Sequence, residues 1–248
     1  MIRLENITKY FKDQRVLDDL SLNVERGKTT VIIGKSGGGK SVLLKHMIGL
    51  IKPSEGNIYI DDENIVGLSP NEMNRVRKKF GMLFQDAALF DSMTVGENVA
   101  FPLREHTKLK NAEIKQRVAE KLRMVGLPGS EHKLPSQLSG GMRKRVGLAR
   151  AIIMDPAIIL YDEPTTGLDP IMTDIVDTLI KETQEKLGVT CVVISHDIKA
   201  TFKVAHNVAM LHEGRIIVFG EADDVKQCQD PRFRQFVEGR ADGPIKMV

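Results

Sequence analysis

The sequence contains little cysteine, no tryptophan and no long hydrophobic run. Only two of its 248 residues are cysteines, Cys191 and Cys228, which are too few for a disulfide framework or a cysteine-rich metal cluster. No uncharged apolar run approaches the roughly 18 residues that cross a bilayer, and the first residues lack the apolar core of a signal peptide. We therefore expect neither a disulfide-rich secreted protein nor an integral membrane protein, but a cytosolic one.

Neither charge sign dominates the composition. The sequence has 36 Lys and Arg against 33 Asp and Glu, a net charge of +3, which argues against bulk nucleic-acid binding. One basic run, residues 142–145, is interleaved with Val146 and Leu148, and we interpret it as a solvated helix face. The 42% of hydrophobic and 28% of charged residues are typical of a folded protein.

Two hydrophobic patterns predict two kinds of strand. Apolar residues alternate at 20–24 and again at 58–60, as in antiparallel strands with one buried face. Residues 30–33, 157–161 and 189–194 are continuous apolar runs, as in central strands buried on both faces. Each of these three runs is followed by a segment with helical periodicity, which indicates an α/β fold with a parallel central sheet.

Residues 86–151 contain no clear central strand, and their polar, helical and glycine-rich stretches predict an inserted helical subdomain. We predict a single domain over the whole chain. Its core comprises 1–85 and 152–220, with an antiparallel β part near the N-terminus, and 221–248 form a C-terminal helix and tail. Phe233 and its apolar neighbours on that helix fit two alternatives, packing on the core or docking across a dimer.

A glycine-rich loop follows the first buried strand and matches the phosphate-binding P-loop pattern in full. Its glycines let successive N–H groups point towards phosphate oxygens. The ammonium group of Lys40 suits the β- and γ-phosphates, and the hydroxyl of Ser41 suits Mg²⁺. The strand before and the helix after it favour a P-loop NTPase over a flexible turn. The loop residues are Gly34, Lys35, Ser36, Gly37, Gly38, Gly39, Lys40 and Ser41.

Two acidic residues, Asp162 and Glu163, end a later buried strand. At the carboxyl end of a parallel strand they lie where ligands bind. Asp162 suits Mg²⁺, and Glu163 can accept a proton from the attacking water. A solvated acidic turn would be the better interpretation of the pair alone, but the P-loop upstream favours a catalytic one, because Mg²⁺ needs an acid on a neighbouring strand.

Further motifs follow in an order that resembles the nucleotide-binding subunit of ATP-binding cassette (ABC) transporters. Gln85, the stretch Ser136–Met142 that reads SQLSGGM, the Gly-Leu-Asp at 167–169 and His196 carry this resemblance together with the P-loop and the acidic pair. It implies a RecA-like core and a head-to-tail dimer. Each ATP would lie between the P-loop of one copy and Ser139, Gly140 and Gly141 of the other.

The resemblance also implies individual roles. Phe11, or its neighbour Tyr10, would stack on adenine. Composition alone favours a core aromatic at Phe11, and its position upstream of the P-loop makes the two interpretations equal. Gln85 would touch Mg²⁺ and the water and would couple to the membrane partner, Asp169 would bridge the two copies, and His196 would contact the γ-phosphate. Val16 and Val42 complete the implied ATP contacts. Met142 stands where the family has Gln, so the resemblance implies no contact from that side chain.

A narrower resemblance is to the ATPase of Mla-type (Mce-associated) phospholipid transport systems. Residues 82–85, 88–90, 101–107 and the tail at 234–244 carry it. It implies phospholipid cargo, integral membrane permease subunits, an Mce-domain lipid-binding protein and a peripheral position at the cytoplasmic face of the inner membrane. The alternatives are the ATPase of a polar amino acid importer and a soluble ABC ATPase without a transport role.

Overall fold

The structure is a computed structural model that describes residues 1–246, so the last two residues of the predicted 221–248 segment lie outside the described part. The strands are β1 (Ile2–Phe11), β2 (Gln14–Val24), β3 (Thr29–Ile33), β4 (Glu55–Ile60), β5 (Glu63–Asn64), β6 (Phe80–Leu83), β7 (Ile158–Asp162), β8 (Thr190–Ile194), β9 (Asn207–His212) and β10 (Arg215–Glu221). The helices are α1 (Lys40–Met47), α2 (Pro70–Arg77), α3 (Val95–His106), α4 (Asn111–Met124), α5 (Gly140–Ile152), α6 (Pro170–Leu187), α7 (Ile198–Val204), α8 (Ala222–Lys226) and α9 (Pro231–Glu238).

The chain divides into two compact units. The first comprises Met1–Met73 and Val192–Val248, and the second comprises Asn74–Cys191. Strand β8 begins in the second unit and ends in the first.

The first unit contains an antiparallel sheet of order β2-β1-β4-β5. Leu20, Leu22 and Val24 of β2 are buried while the residues between them are exposed, so the predicted alternation is confirmed. Strand β9 of the same unit pairs in parallel with β3 and antiparallel with β10. All five residues of β3 are buried, as the continuous apolar run predicts for a central strand.

The second unit combines a parallel strand pair with a group of helices. Strands β6 and β7 pair in register, from Phe80 opposite Ile158 to Leu83 opposite Tyr161. Helices α3, α4 and α5 contact one another, and α5 also packs against β6. Between them the two units contain the antiparallel sheet, the parallel strand pairs and the helices of the predicted α/β P-loop NTPase fold, which is confirmed.

Helix α9 packs on the first unit of its own chain. Phe233 is completely buried there. The amide side chain of Gln235 donates a hydrogen bond to the carbonyl oxygen of Ile245 at 3.1 Å and accepts one from its N–H at 2.7 Å. These two bonds hold the end of the described chain against the helix.

Candidate nucleotide-binding site

The P-loop connects β3 to α1 in the first unit. Gly34, Gly37 and Gly39 adopt φ values of 151°, 75° and 97°, a backbone region that side-chain-bearing residues rarely enter. A Cβ atom on Gly34 would also lie 2.2 Å from the carbonyl oxygen of Leu211. The glycine spacing that identified the loop is therefore required by its backbone path.

Lys40 begins α1 and is buried, with 4% of its surface exposed. Its ammonium group donates hydrogen bonds to the carbonyl oxygens of Gly34 at 2.8 Å and Lys35 at 2.9 Å. The loop therefore folds around a positive charge at the N-terminal end of a helix, where the helix dipole adds to it. Such an arrangement suits the phosphates of a nucleotide.

The other predicted site residues of the first unit lie near this loop or at its strand edge. The carbonyl oxygen of Val16 lies 3.1 Å from the position of a Cβ atom on Gly39, so β2 touches the loop. His196 is exposed and follows Ser195, whose N–H donates to the carbonyl oxygen of Ile32 at 3.2 Å. His196 thus leaves β8 at the edge where the P-loop leaves β3.

Phe11 ends β1 at the turn into β2. The residue is 43% exposed, and the neighbouring Tyr10 is 42% exposed. The ammonium group of Lys9 lies 5.2 Å from the centre of the Phe11 ring. Phe11 is therefore not a core aromatic, and its stacking on adenine stays a prediction.

A cavity of about 560 Å³ lies beside the P-loop within the first unit, lined in part by Val16, Gly37, Gly38, His212, Arg215 and Arg232. The Asp18 carboxylate accepts a hydrogen bond from the Arg215 guanidinium at 2.8 Å, and this bond raises the pKa of Arg215. Arg232 comes from α9, so the C-terminal helix contributes to the wall of a cavity that the P-loop also lines.

In the second unit, Gln85 and Glu163 follow paired strands. Since Leu83 pairs with Tyr161, each of the two residues lies two positions beyond the end of the same register. Glu163 has a φ of 47°, and its Oε2 accepts a hydrogen bond from the Thr166 hydroxyl at 3.0 Å. The structure therefore brings Gln85, Asp162 and Glu163 to one strand edge and fixes the orientation of the Glu163 carboxylate.

Ser139 caps the N-terminus of α5. Its hydroxyl oxygen accepts a hydrogen bond from the N–H of Met142 at 3.3 Å, and the residue is exposed. A Cβ atom on Gly141 would lie 2.1 Å from Cε of Met172, so this glycine allows the start of α5 to approach α6. The Ser-Gly-Gly motif at 139–141 is therefore the N-terminus of a helix, with the exposed Ser139 and its hydroxyl group beside it.

Asp169 caps α6 in the same unit. Its Oδ1 accepts hydrogen bonds from the N–H groups of Ile171 and Met172, both at 3.0 Å. The residue is exposed. Its carboxylate thus has a structural role within the chain, and the bridge between two copies stays a prediction.

The interpretation of residues 142–145 as a solvated helix face is wrong for Lys144, because this residue is buried, with only 5% of its surface exposed. Its ammonium group donates a hydrogen bond to the carbonyl oxygen of Gln85 and lies 3.5 Å from that of Glu163. Burial lowers the pKa of Lys144, while the carboxylates of Asp86, Glu163 and Asp162 act in the opposite direction. Spacing alone could have identified it, since it lies three residues after Gly141 and four before Leu148 on the buried face of α5.

Each unit by itself offers groups that suit ATP or Mg²⁺. The first has the buried positive charge of Lys40 and the hydroxyl of Ser41. The second has the amide oxygen of Gln85 and the carboxylate of Asp162, and hydroxyl, amide and carboxylate oxygens are ligand types that Mg²⁺ takes alongside phosphate oxygens. Within residues 1–246 no group of three or more His, Cys, Asp and Glu side chains forms a metal cluster. Such a donor set suits a cation that arrives with a nucleotide rather than one held by the protein alone.

The P-loop, the acidic strand end and the Ser-Gly-Gly helix start together define an ATP-binding cassette. The chain belongs to the ABC transporter family, whose sequence model matches residues 17–166, and members of this family are ATPases. Cassettes of this kind form dimers and work with membrane components. Among residues 1–246, no helix is both long and apolar enough to span a bilayer.

Several proteins are similar over nearly the whole chain. The intermembrane phospholipid transport system ATP-binding protein MlaF of Escherichia coli K12 is 46% identical over 93% of this chain and 86% of its own length. MlaF of Haemophilus influenzae is 43% identical over 99% and 93%. A Mycobacterium leprae protein named "Probable ribonucleotide transport ATP-binding protein mkl" is 45% identical over 99% and 71%.

A solved structure extends the similarity to three dimensions. The dimeric, post-hydrolysis state of the ATP-binding cassette MJ0796, bound to ADP and Pi, superposes with a TM-score of 0.83 at 34% identity, over 90% of this chain and 99% of that one. The cassette fold and the membership of an ATP-hydrolysing family are therefore confirmed.

Proposed function

We propose that this chain is the ATP-hydrolysing subunit of a system that moves phospholipid between the inner and outer membranes. The observation that carries this proposal is the similarity to MlaF from two organisms, at 43% and 46% identity over 99% and 93% of the chain. The chain also has Lys40, Ser139 and Glu163, which the proposed cycle of ATP binding and hydrolysis needs.

Two copies would bind two ATP molecules head to tail. Lys40 and the N–H groups of the P-loop hold the phosphates, Phe11 stacks on the adenine, and Val16 and Val42 complete the contacts of the same copy. Ser139, with Gly140 and Gly141 of the second copy, closes over the γ-phosphate. The exposed position of Ser139 at a helix N-terminus supports this, because such a site attracts anions.

Glu163 accepts the proton of the attacking water as general base. The hydrogen bond from Thr166 holds its carboxylate in one orientation, which general-base catalysis requires. Gln85 positions the water, and His196 donates to the γ-phosphate as negative charge develops. Asp169 bridges the two copies.

Ser41, Gln85 and Asp162 would hold Mg²⁺, which when bound neutralises charge on the phosphates. Closure of the two copies on ATP and reopening after hydrolysis would drive the membrane subunits between two states. The free energy for this switch comes from contacts that only the triphosphate makes.

The second unit offers a surface for a permease. A groove of about 760 Å³ is lined in part by Met82, Phe84, Phe90 and Phe101. Phe84 and Phe90 are 40% and 43% exposed, and Phe84 precedes Gln85 in the chain. An apolar helix of an integral membrane subunit would cover these rings and would place the chain at the cytoplasmic face of the inner membrane. The same transport system would include an Mce-domain lipid-binding protein.

The similarity to the mycobacterial protein named for ribonucleotide transport favours ribonucleotide as a second candidate cargo. Affinity purification of the tagged chain from detergent-solubilised membranes distinguishes the two. We expect an integral permease, an Mce-domain protein and bound glycerophospholipid. A polar-solute binding protein, or ribonucleotide without phospholipid, would contradict phospholipid transport.

ATP-dependent lipid transfer by the purified complex in proteoliposomes is the direct functional test. The matched control is the same complex carrying Glu163→Gln, which is expected to retain the lipid and to lose transfer. Equal transfer by the two complexes would contradict ATP-driven transport.

A further inference from the structure

Two loops of the second unit contain strained backbone at the predicted catalytic edge. Ala87 and Ala88, just after β6, have φ values of 60° and 47°, and Glu163, just after β7, has 47°. Residues with side chains occupy this region only when their surroundings impose it. Cationic side chains of α5 contact the carbonyl oxygens of all three residues.

Helix α5 binds the first loop at three carbonyl oxygens, those of Gln85, Ala87 and Ala88. Arg150 donates hydrogen bonds to the carbonyl oxygens of Ala88 at 2.7 Å and Ala87 at 2.6 Å, and Lys144 donates one to that of Gln85. The loop that carries Gln85 is thereby attached to the helix that Ser139 begins.

Lys144 alone among these donors also reaches the second loop, at 3.5 Å from the carbonyl oxygen of Glu163. Strands β6 and β7 pair in register as far as Leu83 and Tyr161, and Gln85 and Glu163 each follow two residues later. Lys144 as a whole residue is only 5% exposed. A buried lysine is costly unless its charge is satisfied, and here two carbonyl dipoles and the nearby carboxylates satisfy it.

We infer that Lys144 is a positioning residue that holds the Gln85 loop and the Glu163 loop in one arrangement with α5. This inference rests on the proposed catalytic roles of Gln85 and Glu163. Helix α5 would then have two roles. It would present Ser139 to a second copy, and it would position Glu163 and Gln85 of its own copy. A displacement of α5 would then move the Gln85 loop and the Glu163 loop together.

Amide hydrogen exchange of the protein without nucleotide tests the tether itself. Two turn bonds report on the loops: the N–H of Ala87 donates to the carbonyl oxygen of Phe84 at 2.9 Å, and the N–H of Thr166 donates to that of Glu163 at 3.3 Å. Lys144→Met should accelerate exchange of both amides by about tenfold or more, the effect expected when hydrogen bonds to a charged group are lost.

The matched control is Lys121→Met. Lys121 is another buried lysine of the same unit, 9% exposed, but its ammonium group lies 2.6 Å from Asp155 Oδ1. Its loss should leave the Ala87 and Thr166 amides as in the wild type. Lys144→Arg keeps a cation with several donors, so the Ala87 and Thr166 amides should keep most of the protection from exchange that Lys144→Met loses.

Steady-state kinetics give the catalytic readout. Lys144→Met should lower kcat by about tenfold or more and leave KM for ATP within about twofold, since the P-loop that grips the phosphates belongs to the first unit. Lys121→Met should change neither parameter. A thermal melt of each variant establishes that it is folded, and Lys144→Gln carries the same prediction if Lys144→Met does not fold.

The outcomes separate the two claims. Unchanged exchange and unchanged kcat in folded Lys144→Met would overturn the inference and leave the proposed function intact. Wild-type protein without any ATPase activity would contradict the proposed function, whereas the exchange experiment would still decide whether Lys144 ties the two loops together.

Discussion

The backbone carbonyl groups of Gln85 and Glu163 converge on a single ammonium group, that of Lys144. The two residues follow separate strands, each two positions after the last pair of the β6–β7 register, Leu83 with Tyr161. The sequence motifs that identify each of them carry no information about this shared contact. The predicted water-positioning residue and the predicted base thus share one contact in the second unit.

Replacement of Glu163 by glutamine tests the base. Glu163→Gln keeps the size of the side chain and a possible bond from Thr166 but cannot accept the proton. We expect ATP binding near the wild-type level and a loss of turnover of about 10²- to 10⁴-fold, measured by phosphate release. Glu182→Gln is the control, because Glu182 pairs with Lys186 on α6. Wild-type turnover in Glu163→Gln would exclude Glu163 as the base.

Removal of the Lys40 ammonium group tests the phosphate loop. Lys40→Ala deletes the charge that the loop carbonyl oxygens surround, and we expect an ATP affinity at least about tenfold weaker, measured with a fluorescent nucleotide. Lys45→Ala, at an exposed position of the same helix, should bind normally. Equal affinities in the two variants would refute the assignment of the loop.

The cap of α9 gives a pH-dependent contribution to stability. The Arg232 guanidinium, followed by the N–H groups of Arg232 and Phe233, lowers the pKa of Asp230 from 3.8 to about 2. A lowered pKa in the folded state means that the stabilisation is fully present above about pH 5 and is lost as the pH falls from 4 towards 2.

Chemical denaturation at pH 7 and pH 3 measures this contribution. Asp230→Ala should lower the free energy of unfolding by about 1 kcal/mol at pH 7, the usual effect of losing a helix cap, and the difference from the wild type should shrink at pH 3. Asp230→Asn keeps a capping oxygen and should lose less. A difference that grows at pH 3 would show that the ionised carboxylate is not what stabilises the helix start.

The parts of the site that the sequence predicts are local. The P-loop needs glycines at fixed positions between a strand and a helix, so Gly34 and Gly39 could be identified from their neighbours alone. The acidic pair follows an apolar run and could be found in the same way. In both cases the backbone of a few consecutive residues decides the geometry.

The parts that the sequence did not predict depend on long-range pairing. The register of Leu83 with Tyr161 joins segments far apart in the chain, and no local pattern encodes it. Lys144 was misinterpreted because its charge outweighed its position on the buried face of α5. Helix α2 was not identified because it has little apolar periodicity, although Ser69 and Glu72 exchange hydrogen bonds at its start.

The central claim is that ATP is held between two copies, each contributing a different part of the site. Two damaged variants, both in a Glu163→Gln background that retains ATP, test it: Lys40→Ala lacks the P-loop charge, and Ser139→Arg blocks the helix start by bulk and charge. Neither variant alone should dimerise with ATP.

The decisive measurement is the sedimentation of an equimolar mixture of the two variants with radiolabelled ATP. A mixed pair contains one site built from the intact P-loop of one copy and the intact Ser139 of the other, so we predict dimers that retain one ATP per pair. A mixture that stays monomeric, or a Ser139→Arg protein that forms ATP-bound dimers by itself, would contradict a site shared between two copies.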